Sequence, residues 1–584
     1  MSPADRDPAL SRLADAILIP PFPGLAAPSW VLAALRGGLG GVTLYGPNIA
    51  SPPQLGELTG RLRAASAEPV IAIDEEGGDV TRIAHRSGSP YPGNAALGVV
   101  DDPSLTEAVY RSLGAELAAV GVNLNLAPSV DVNTAADNPV IGTRSFGAET
   151  ELVARHAAAA VAGLQSAGVA ACAKHFPGHG STRTDTHDAI ATVDAPMELL
   201  ARRDLPPFAA AISAGVRAVM PGHLRIPELT GELPASLSSA AQTGLLRGEL
   251  GFTGVIVSDA LEMEAVSGPY GLPEAAVLAV AAGTDLLCFG RDQDHSAYLA
   301  VRAALVTAVG ERRLSGERLE EAAARVAALR SWSADRRPAA GRAGASGRAG
   351  ASGRAGGTEA NGRAGAGRPP GAASTEHTEH TEHTEPAEHT EPARLNGASV
   401  GLAAARRALL VDGTPGLLVR PVLLEVVPPA NIAVGLVPWG LSGWLPPGAV
   451  ERVSAGTADS AAFPAADGAT ARRVLTLAAG RSLIIVIRDA HRYPAVRELV
   501  SAVLAARPDA IVVEMGLPVW RPPAGLYLAS YGAGRSSSQV VAETLGLAGP
   551  AVASRVLVGP AAARRDRTSG RSAPARIQQA SPPG

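Results

Sequence analysis

The stretch AKHFPGHGSTRTDTHD, residues 173–188, contains side chains whose types and spacing suit proton transfer. Near its end, Asp185 and His187 stand two residues apart, and an extended backbone places both side chains on one face. The carboxylate can then fix the imidazole tautomer and stabilise its protonated form. Such a histidine can donate a proton in one step and accept one in the next. We therefore predict an acid/base pair in this loop.

Two other chemistries remain open for the same stretch. Zinc takes imidazole and carboxylate ligands, and four residues offer them: His175, His179, His187 and Asp185. Against zinc, Phe-Pro-Gly separates the first two histidines, so they do not share a helix face, and Lys174 would repel the ion. The GHGST segment resembles a phosphate-binding loop but lacks the GK[ST] spacing. We predict acid/base chemistry with no metal and no cofactor.

Lys174 stands out because it is the only lysine among 51 basic residues. Lysine carries a compact point charge on a thin stem, whereas arginine ends in a broad planar fork. A chain that uses arginine elsewhere and keeps one lysine indicates a steric or chemical requirement at that position. We predict that Lys174 donates hydrogen bonds in a narrow site.

The elements that position these residues are short apolar runs that alternate with helical patterns. The runs cover residues 16–20, 41–46, 70–74, 122–131, 171–178, 218–223, 255–260 and 285–290. Strand and helix in alternation imply a parallel sheet with crossover helices. Eight such units favour a (β/α)8 TIM barrel. A doubly wound open sheet is the competing fold, but the region lacks a glycine-rich dinucleotide turn.

Polar residues follow these runs at the points where the predicted strands end. In a barrel, the carboxyl ends of the strands form the mouth that carries the chemistry. Five predicted strands end in such residues: Asp74 with nearby Arg82, Asp131, Lys174 with His175, His223, and Asp259. Helix caps and rim ion pairs account for any one of them, but five at one mouth indicate a site.

The chain divides into four regions. Residues 1–335 form the predicted TIM-barrel domain, and residues 336–395 form a Gly/Arg/Ala and Thr-Glu-His linker that we predict to be disordered. Residues 396–563 repeat the alternation in ALLVDG, IAVGLVP, LIIVIRD, IVVEMG, LYLASYG and VLVG, which predicts a smaller α/β three-layer sandwich. Residues 564–584 are a predicted disordered tail.

Composition excludes several function classes. Charged residues make up 18% of the chain and the net charge is −4, so no basic face for nucleic acid is expected. Cys172 and Cys288 lie in apolar runs and are predicted to be buried thiols rather than a disulfide. No apolar run approaches the ~20 residues that span a bilayer, and the N-terminus does not resemble a signal peptide. We therefore expect a cytoplasmic protein with no membrane partner.

Several long motifs together resemble family 3 glycoside hydrolases of the β-N-acetylglucosaminidase branch. KHFPGHG followed by DTH resembles the family's signature, and VIVSDALEM resembles its nucleophile segment. DEEGGDVTR, GTRSFG and VMPGHL resemble three further segments, in consistent order over about residues 10–330. The back region resembles the second domain of two-domain members.

The resemblance implies a role for each matched position. Asp259 is implied as the nucleophile and His187 as the general acid/base, oriented by Asp185. The sugar hydroxyls of the non-reducing residue are implied to contact Asp74, Arg82, Arg144, Lys174 and His175, with His223 lining the same pocket. The family mechanism is retaining, through a glycosyl-enzyme intermediate. Asp489, His491 and Glu514 of the back region follow apparent strand ends, and a structural role is the better hypothesis for them.

These implications predict an exo-acting β-N-acetylglucosaminidase of peptidoglycan turnover. With only 3% aromatic residues, the chain suits a short saccharide or muropeptide rather than a long polysaccharide. A β-glucosidase and a β-N-acetylglucosaminide phosphorylase are the alternatives on the same site, since an imidazole does not repel phosphate as a carboxylate would. An inactive sugar-binding barrel is the alternative from another class. Asp79, Ala260 and Thr186 depart from the family's usual residues.

Overall fold

The computed structural model describes residues 7–184, 190–336, 397–429, 434–435, 437–454 and 468–547. It forms two compact units, residues 1–408 with 430–437, and residues 409–429 with 438–584. The predicted second domain began at 396, whereas the division falls after residue 408. Asp185, His187, the linker beyond residue 336 and the predicted tail lie outside the described residues.

The first unit consists of short strands and longer helices in alternation. Its strands are β1 Leu18–Ile19, β2 Gly41–Leu44, β3 Val70–Ile73, β4 Leu124–Asn125, β5 Ala170–Phe176, β6 Ala191–Thr192, β7 Ala218–Pro221, β8 Leu224–Arg225, β9 Val255–Ile256 and β10 Leu287–Cys288. Its helices are α1 Pro8–Ala16, α2 Ser29–Gly37, α3 Pro52–Ala65, α4 Asn94–Val100, α5 Pro103–Ala119, α6 Thr150–Ser166, α7 Met197–Arg203, α8 Leu205–Ser213, α9 Pro227–Thr230, α10 Glu264–Tyr270, α11 Leu272–Ala282, α12 His295–Gly310, α13 Gly316–Arg336 and α14 Gly397–Ala408. Short 3₁₀ turns cover Gly46–Asn48, Gly142–Arg144 and Ala235–Leu237, and a π-helix covers Ala240–Glu249.

The strands of the first unit close into a parallel barrel. Six of them pair in the order β2-β3-β4-β5-β7-β9, and β1 pairs in parallel with β10. The Thr43 N–H donates to Pro20 O at 3.4 Å, which joins the end of β1 to β2. A parallel bridge between Val257 and Leu286 joins β9 to β10. The predicted eight-unit barrel is therefore confirmed, and β6 pairs with β8 outside it.

The barrel strands are buried because side chains fill the interior and helices cover the outside. All seven residues of β5 are buried, including the two polar residues near its end. The covering helices are amphipathic: α5 buries Thr106, Val109, Tyr110, Leu113, Gly114 and Leu117, which recur every three or four residues. The Asp102 carboxylate accepts the Leu105 N–H at 3.1 Å and fixes the start of α5. This packing holds the strand ends at fixed positions.

The second unit is a mostly parallel sheet with helices on both faces. Its strands are β11 Leu410–Asp412, β12 Val422–Val427, β13 Val450–Ser454, β14 Leu483–Ile487, β15 Ile511–Glu514 and β16 Leu526–Ala529, in the order β11-β16-β15-β14-β12-β13. Its helices are α15 Ala469–Leu477, α16 Pro494–Ala506 and α17 Arg535–Thr544, with 3₁₀ turns at Ser442–Trp444, Pro447–Ala449 and Ala490–Arg492. Only β11 runs antiparallel to its neighbour within this described sheet.

Alternating strand residues divide the second unit into two apolar layers. Leu424 and Ile485 pack on the face of α15 and α16, whereas Leu423 and Ile484 pack on the face of α17. This is the predicted three-layer arrangement. Four of the predicted runs contain strands, β11, β14, β15 and β16, but β12 and β13 were not predicted. The run IAVGLVP at 432–438 is no strand at its described residues, and VLVG at 556–559 lies outside the described ones.

The two cysteines agree with the prediction, since Cys172 and Cys288 are both buried and unpaired. Among the helices that the structure describes, none combines the length and the apolar character needed to cross a membrane.

Candidate active site

Lys174 lies near the end of β5 with its ammonium between two carboxylates. Its Nζ is 2.6 Å from Asp74 Oδ1 and 2.8 Å from Glu76 Oε1. The Lys174 side chain is 3% exposed, so both ion pairs are shielded from water. Burial alone would lower the pKa of this amine, but Asp74 and Glu76 outweigh it and raise the pKa. The single lysine of the chain is therefore a charged bridge between two residues that follow β3.

Arg144 holds Glu76 from the other side. Its Nε and Nη2 donate to the two carboxylate oxygens of Glu76 at 2.9 and 2.7 Å, a bidentate pair. Arg144 comes from the 3₁₀ turn Gly142–Arg144, whose approach is fixed by the Arg144 N–H donating to Ile141 O. Burial opposes ionisation of Glu76, but Arg144 and Lys174 lower its pKa below the ordinary range. Glu76 is therefore a buried anion that couples the β3 and β4 loops to β5.

Asp74 is the exposed edge of this network. Its side chain is 24% exposed, and Arg82 Nη2 lies 3.5 Å from its Oδ2. Burial opposes ionisation, but Lys174 and Arg82 outweigh it and lower the pKa of Asp74. Asp74 thus stays anionic at neutral pH and can accept hydrogen bonds from a ligand at the barrel mouth.

Asp131 fixes two histidines of the β5 segment. Its Oδ2 lies 2.8 Å from His175 Nδ1, and its Oδ1 accepts the His179 N–H at 2.7 Å. Because a carboxylate only accepts, His175 Nδ1 carries the proton, and Nε2 faces Arg144 Nη2 at 3.4 Å. Asp131 is fully buried, and although burial opposes its ionisation, His175 helps to lower its pKa. Burial lowers the pKa of His179 to about 4, so this second imidazole is neutral at pH 7.

Asp259 follows β9 and is half-buried at the same barrel edge. Its Oδ1 accepts the Ala260 N–H at 2.8 Å. Burial raises the pKa of the Cys172 thiol. The charge of Lys174 lowers this pKa and the charges of Asp74 and Asp259 raise it, so all three groups lie near the thiol. The structure therefore brings Asp259 into the same interior as the lysine network.

His223 was predicted to line the sugar pocket, but both of its ring nitrogens contact the protein. Nε2 lies 3.0 Å from Ala260 O, and Nδ1 lies 2.6 Å from Ser236 Oγ. Since a carbonyl only accepts, Nε2 donates and Nδ1 accepts from the serine hydroxyl. The buried imidazole therefore fixes the backbone directly after Asp259.

Two further predictions concerned the acid/base pair and the zinc candidates. Asp185 and His187 lie outside the described residues, so the acid/base assignment stays a prediction. Among the residues that the structure does describe, no group of three or more His, Cys, Asp or Glu side chains could hold a metal ion. His175 and His179, two of the four zinc candidates, are instead held by Asp131.

Three buried carboxylates at this barrel edge were assigned no role from the sequence. Glu75, Glu76 and Asp131 are all buried, and each is satisfied by hydrogen bonds or ion pairs within the site. A signal existed for all three, since Glu75 and Glu76 directly follow Asp74 in DEEGG and Asp131 ends a predicted strand.

Glu75 gives the site a predicted pH response. Its Oε2 accepts the N–H groups of Arg82 and Ile83 at 2.8 and 3.0 Å, and burial raises its pKa from 4.5 to about 7. The folded protein therefore retains a proton that the unfolded chain releases between pH 4.5 and 7. The contribution of Glu75 to stability is full below pH 4.5 and is lost as the pH rises through 7.

We expect Glu75→Gln to remove this part of the pH dependence. Urea unfolding at pH 5 and pH 8 should show that the free energy of unfolding falls by about 3 kcal/mol more in wild type than in the variant when the pH is raised. Glu57→Gln, at an exposed position of α3, is the matched control and should follow wild type. If the free energy of unfolding changes equally in wild type and Glu75→Gln between the two pH values, the buried carboxyl is already ionised at pH 5.

This chain is similar to a described protein family, to named relatives and to a solved structure, and the three comparisons agree. The family description "Glycosyl hydrolase family 3 N terminal domain" matches residues 30–329. The chain is 34% identical over 319 residues to Beta-hexosaminidase A of Pseudoalteromonas piscicida, covering 50% of this chain and 53% of that protein, so it spans about half of that relative's length. It is 39% identical over 253 residues to the Beta-hexosaminidase of Xylella fastidiosa (strain M12), covering 42% of this chain and 75% of the relative.

A solved structure extends the similarity over both units. The family 3 beta-N-acetylglucosaminidase from Paenibacillus sp. str. FPU-7 superposes with a TM-score of 0.73 at 30% identity. The superposition covers 92% of this chain and 96% of that one.

Proposed function

Because this chain belongs to glycosyl hydrolase family 3, we propose that it is an exo-acting, retaining β-N-acetylglucosaminidase. It releases terminal β-linked N-acetylglucosamine from short saccharides or muropeptides derived from the cell wall. The observation that carries the proposal is the buried Asp74–Lys174–Glu76–Arg144 network at the barrel edge that also bears Asp259. Relatives named beta-hexosaminidase support the choice of an acetamido sugar.

The proposed reaction proceeds in two displacements. Asp259 attacks the anomeric carbon while His187 protonates the departing glycosidic oxygen, which leaves a glycosyl ester on Asp259. His187 then removes a proton from water, whose oxygen attacks the anomeric carbon and releases Asp259. The two inversions give net retention. The Ala260 N–H and the His223 contact to Ala260 O hold the segment that carries Asp259, so little reorganisation precedes attack.

The exposed part of the network is the proposed sugar subsite. Asp74 and Arg82 are partly exposed, whereas Glu76 and Arg144 are nearly inaccessible. A sugar at the barrel mouth therefore meets Asp74 and Arg82 first, with Lys174 and His175 directly behind them. Glu76 and Asp131 act from the interior, because they hold the groups that contact the sugar. Paired charges of both signs suit hydroxyl groups, which donate and accept.

The test compares release of nitrophenol from the β-N-acetylglucosaminide and the β-glucoside by the full-length protein, with Asp259→Ala as the blank. We expect turnover of the acetamido sugar and little of the glucoside. Preference for the glucoside would assign the same site to a β-glucosidase. No turnover of either substrate would favour an inactive sugar-binding barrel.

The identity of the sugar product shows whether water or phosphate is the acceptor in the second displacement. With His187 rather than a carboxylate as the predicted acid/base, phosphate can approach the second displacement without charge repulsion. The reaction is therefore run with and without inorganic phosphate, and the sugar product is identified. Free N-acetylglucosamine in both conditions supports hydrolysis. N-acetylglucosamine 1-phosphate as the main product in phosphate would assign a phosphorylase.

A further inference from the structure

The segment SYGAGRSSS, residues 530–538, joins β16 to the first turn of α17. Gly534 occupies the N-cap position, and no side chain in the described ranges accepts a hydrogen bond from this end of α17. The first hydrogen bond of the helix runs from the Ser538 N–H to Gly534 O at 3.0 Å. The N–H groups before Ser538 therefore have no partner inside the helix, and together they carry the positive end of the helix dipole.

Three consecutive buried serines surround this helix start. Ser536, Ser537 and Ser538 are 3%, 1% and 5% exposed, and none of their hydroxyl oxygens has a hydrogen-bond partner among the residues that the structure describes. Cα–Cβ bonds in a helix tilt toward its N-terminus, so first-turn hydroxyls point back to the unsatisfied N–H groups. A buried hydroxyl without a partner is costly, and buried polar groups are as a rule satisfied. Three in a row indicate a ligand that supplies acceptors.

The charge at this position selects an anion. Arg535 is the first residue of α17, is half-buried, and forms no ion pair with any residue in the described ranges. Backbone N–H groups, hydroxyls and a guanidinium around one helix N-terminus match a tetrahedral oxyanion, which offers acceptors in several directions.

We propose that the N-terminal turn of α17 binds a phosphate group, either as inorganic phosphate or on a phosphorylated sugar. Its donors are the hydroxyls of Ser536 and Ser537, the first-turn N–H groups and the guanidinium of Arg535. Its residues all belong to the second unit, and none of them is among the residues assigned to sugar binding. It gives the second domain a ligand of its own, and it does not depend on the proposed hydrolase activity.

The test is calorimetric titration of the full-length protein with inorganic phosphate and, separately, with glucose 6-phosphate. We expect saturable binding of at least one of them that excess N-acetylglucosamine does not displace. Arg535→Gln and the double variant Ser536→Ala/Ser537→Ala should each weaken it by about tenfold or more, because each removes charge-assisted hydrogen bonds. Ser501→Ala and Arg521→Gln, at exposed positions of the same unit, are the matched controls and should bind as wild type does.

The serine variant has a second, independent signature. Removing hydroxyls that are unsatisfied in the empty site should leave the melting temperature unchanged or raise it in phosphate-free buffer. Added ligand should then raise the melting temperature of wild type but not of the variant. Tighter binding of glucose 6-phosphate than of phosphate identifies a sugar phosphate as the ligand, and equal binding identifies the free ion. The proposal is overturned if neither ligand binds, or if binding is the same in Arg535→Gln and the serine variant as in wild type.

Discussion

Asp259→Ala is expected to lower turnover of the aryl β-N-acetylglucosaminide by about four orders of magnitude or more. The variant removes the carboxylate that the proposed mechanism places on the face of the sugar opposite the leaving group. Because Asp259 is only half-buried and its Oδ1 accepts the adjacent Ala260 N–H, the fold should tolerate its loss. Thermal unfolding of the variant should therefore stay close to that of wild type.

Azide distinguishes a lost nucleophile from a damaged site. In Asp259→Ala the vacated space lets azide attack the anomeric carbon from the same face, so turnover should partly recover. The product should be the α-glycosyl azide, formed by a single inversion of a β-glycoside. Asp259→Asn keeps the shape but fills the space, and its recovery should be smaller. Failure of azide to restore any turnover in Asp259→Ala, with the fold intact, would remove Asp259 from the nucleophile role.

The barrel could be predicted because its strands are buried on every side. A parallel strand that faces the interior on one side and helices on the other is an unbroken apolar run, and all eight runs contain a barrel strand. The β6–β8 pair was not predicted, since neither Ala191–Thr192 nor Leu224–Arg225 lies in one of these apolar runs. The family was predicted from the motifs at the strand ends and is confirmed by the matched domain.

The second unit shows where this reasoning fails. VLLEVV forms β12, but Glu425 interrupts the apolar run. The structure accommodates the charge because Arg452 and the Leu441 N–H satisfy the fully buried carboxylate. The predicted strand IAVGLVP contains Gly435 at φ 73°, a left-handed conformation that breaks an extended strand. In both segments a tertiary contact or a backbone angle outweighed local hydrophobicity.

The site was predicted only in part, because strand ends can be recognised in the sequence and contacts between loops cannot. Residues at the carboxyl ends of barrel strands lie at the mouth, and this rule placed four residues on one barrel edge: Asp74, Lys174, His175 and Asp259. Pairings between loops have no sequence signature, so the bidentate contact of Arg144 with Glu76 and the double anchor at Asp131 required coordinates. His223 matched a family motif, yet its direct contacts hold Ala260.

The predicted requirement for a lysine at position 174 is explained by the geometry. One compact ammonium reaches Asp74 and Glu76 at 2.6 and 2.8 Å while the side chain stays almost inaccessible. A guanidinium is wider, and Arg144 already occupies the other side of Glu76 with a bidentate pair. A second planar fork would compete for the same carboxylate oxygens.

Lys174→Met should therefore damage stability and activity together. Removing one partner of a buried ion pair leaves the other charge uncompensated, which costs about 3–5 kcal/mol. Arg144 still neutralises Glu76, so we expect a value near the lower end, measured by urea unfolding at pH 7. Displacement of Asp74 should lower kcat/KM by about 100-fold or more. Lys174→Arg restores the charge but not the shape, and it should recover part of the stability and little of the activity.

The double variant Lys174→Met/Asp74→Asn separates the two effects. Arg144 keeps Glu76 as its bidentate partner in both variants, whereas Asp74 loses the ammonium at 2.6 Å. Neutralising Asp74 removes that uncompensated charge, so the double variant should be more stable than Lys174→Met alone, while kcat/KM stays low because the sugar still lacks the ammonium. Glu57→Gln in the Lys174→Met background is the control for a surface charge change. If the second substitution restores no stability, the destabilisation arises from lost packing of the lysine stem and not from an unpaired carboxylate. If it restores activity as well, Lys174 serves only to balance charge, and its predicted contact with the sugar hydroxyls is wrong.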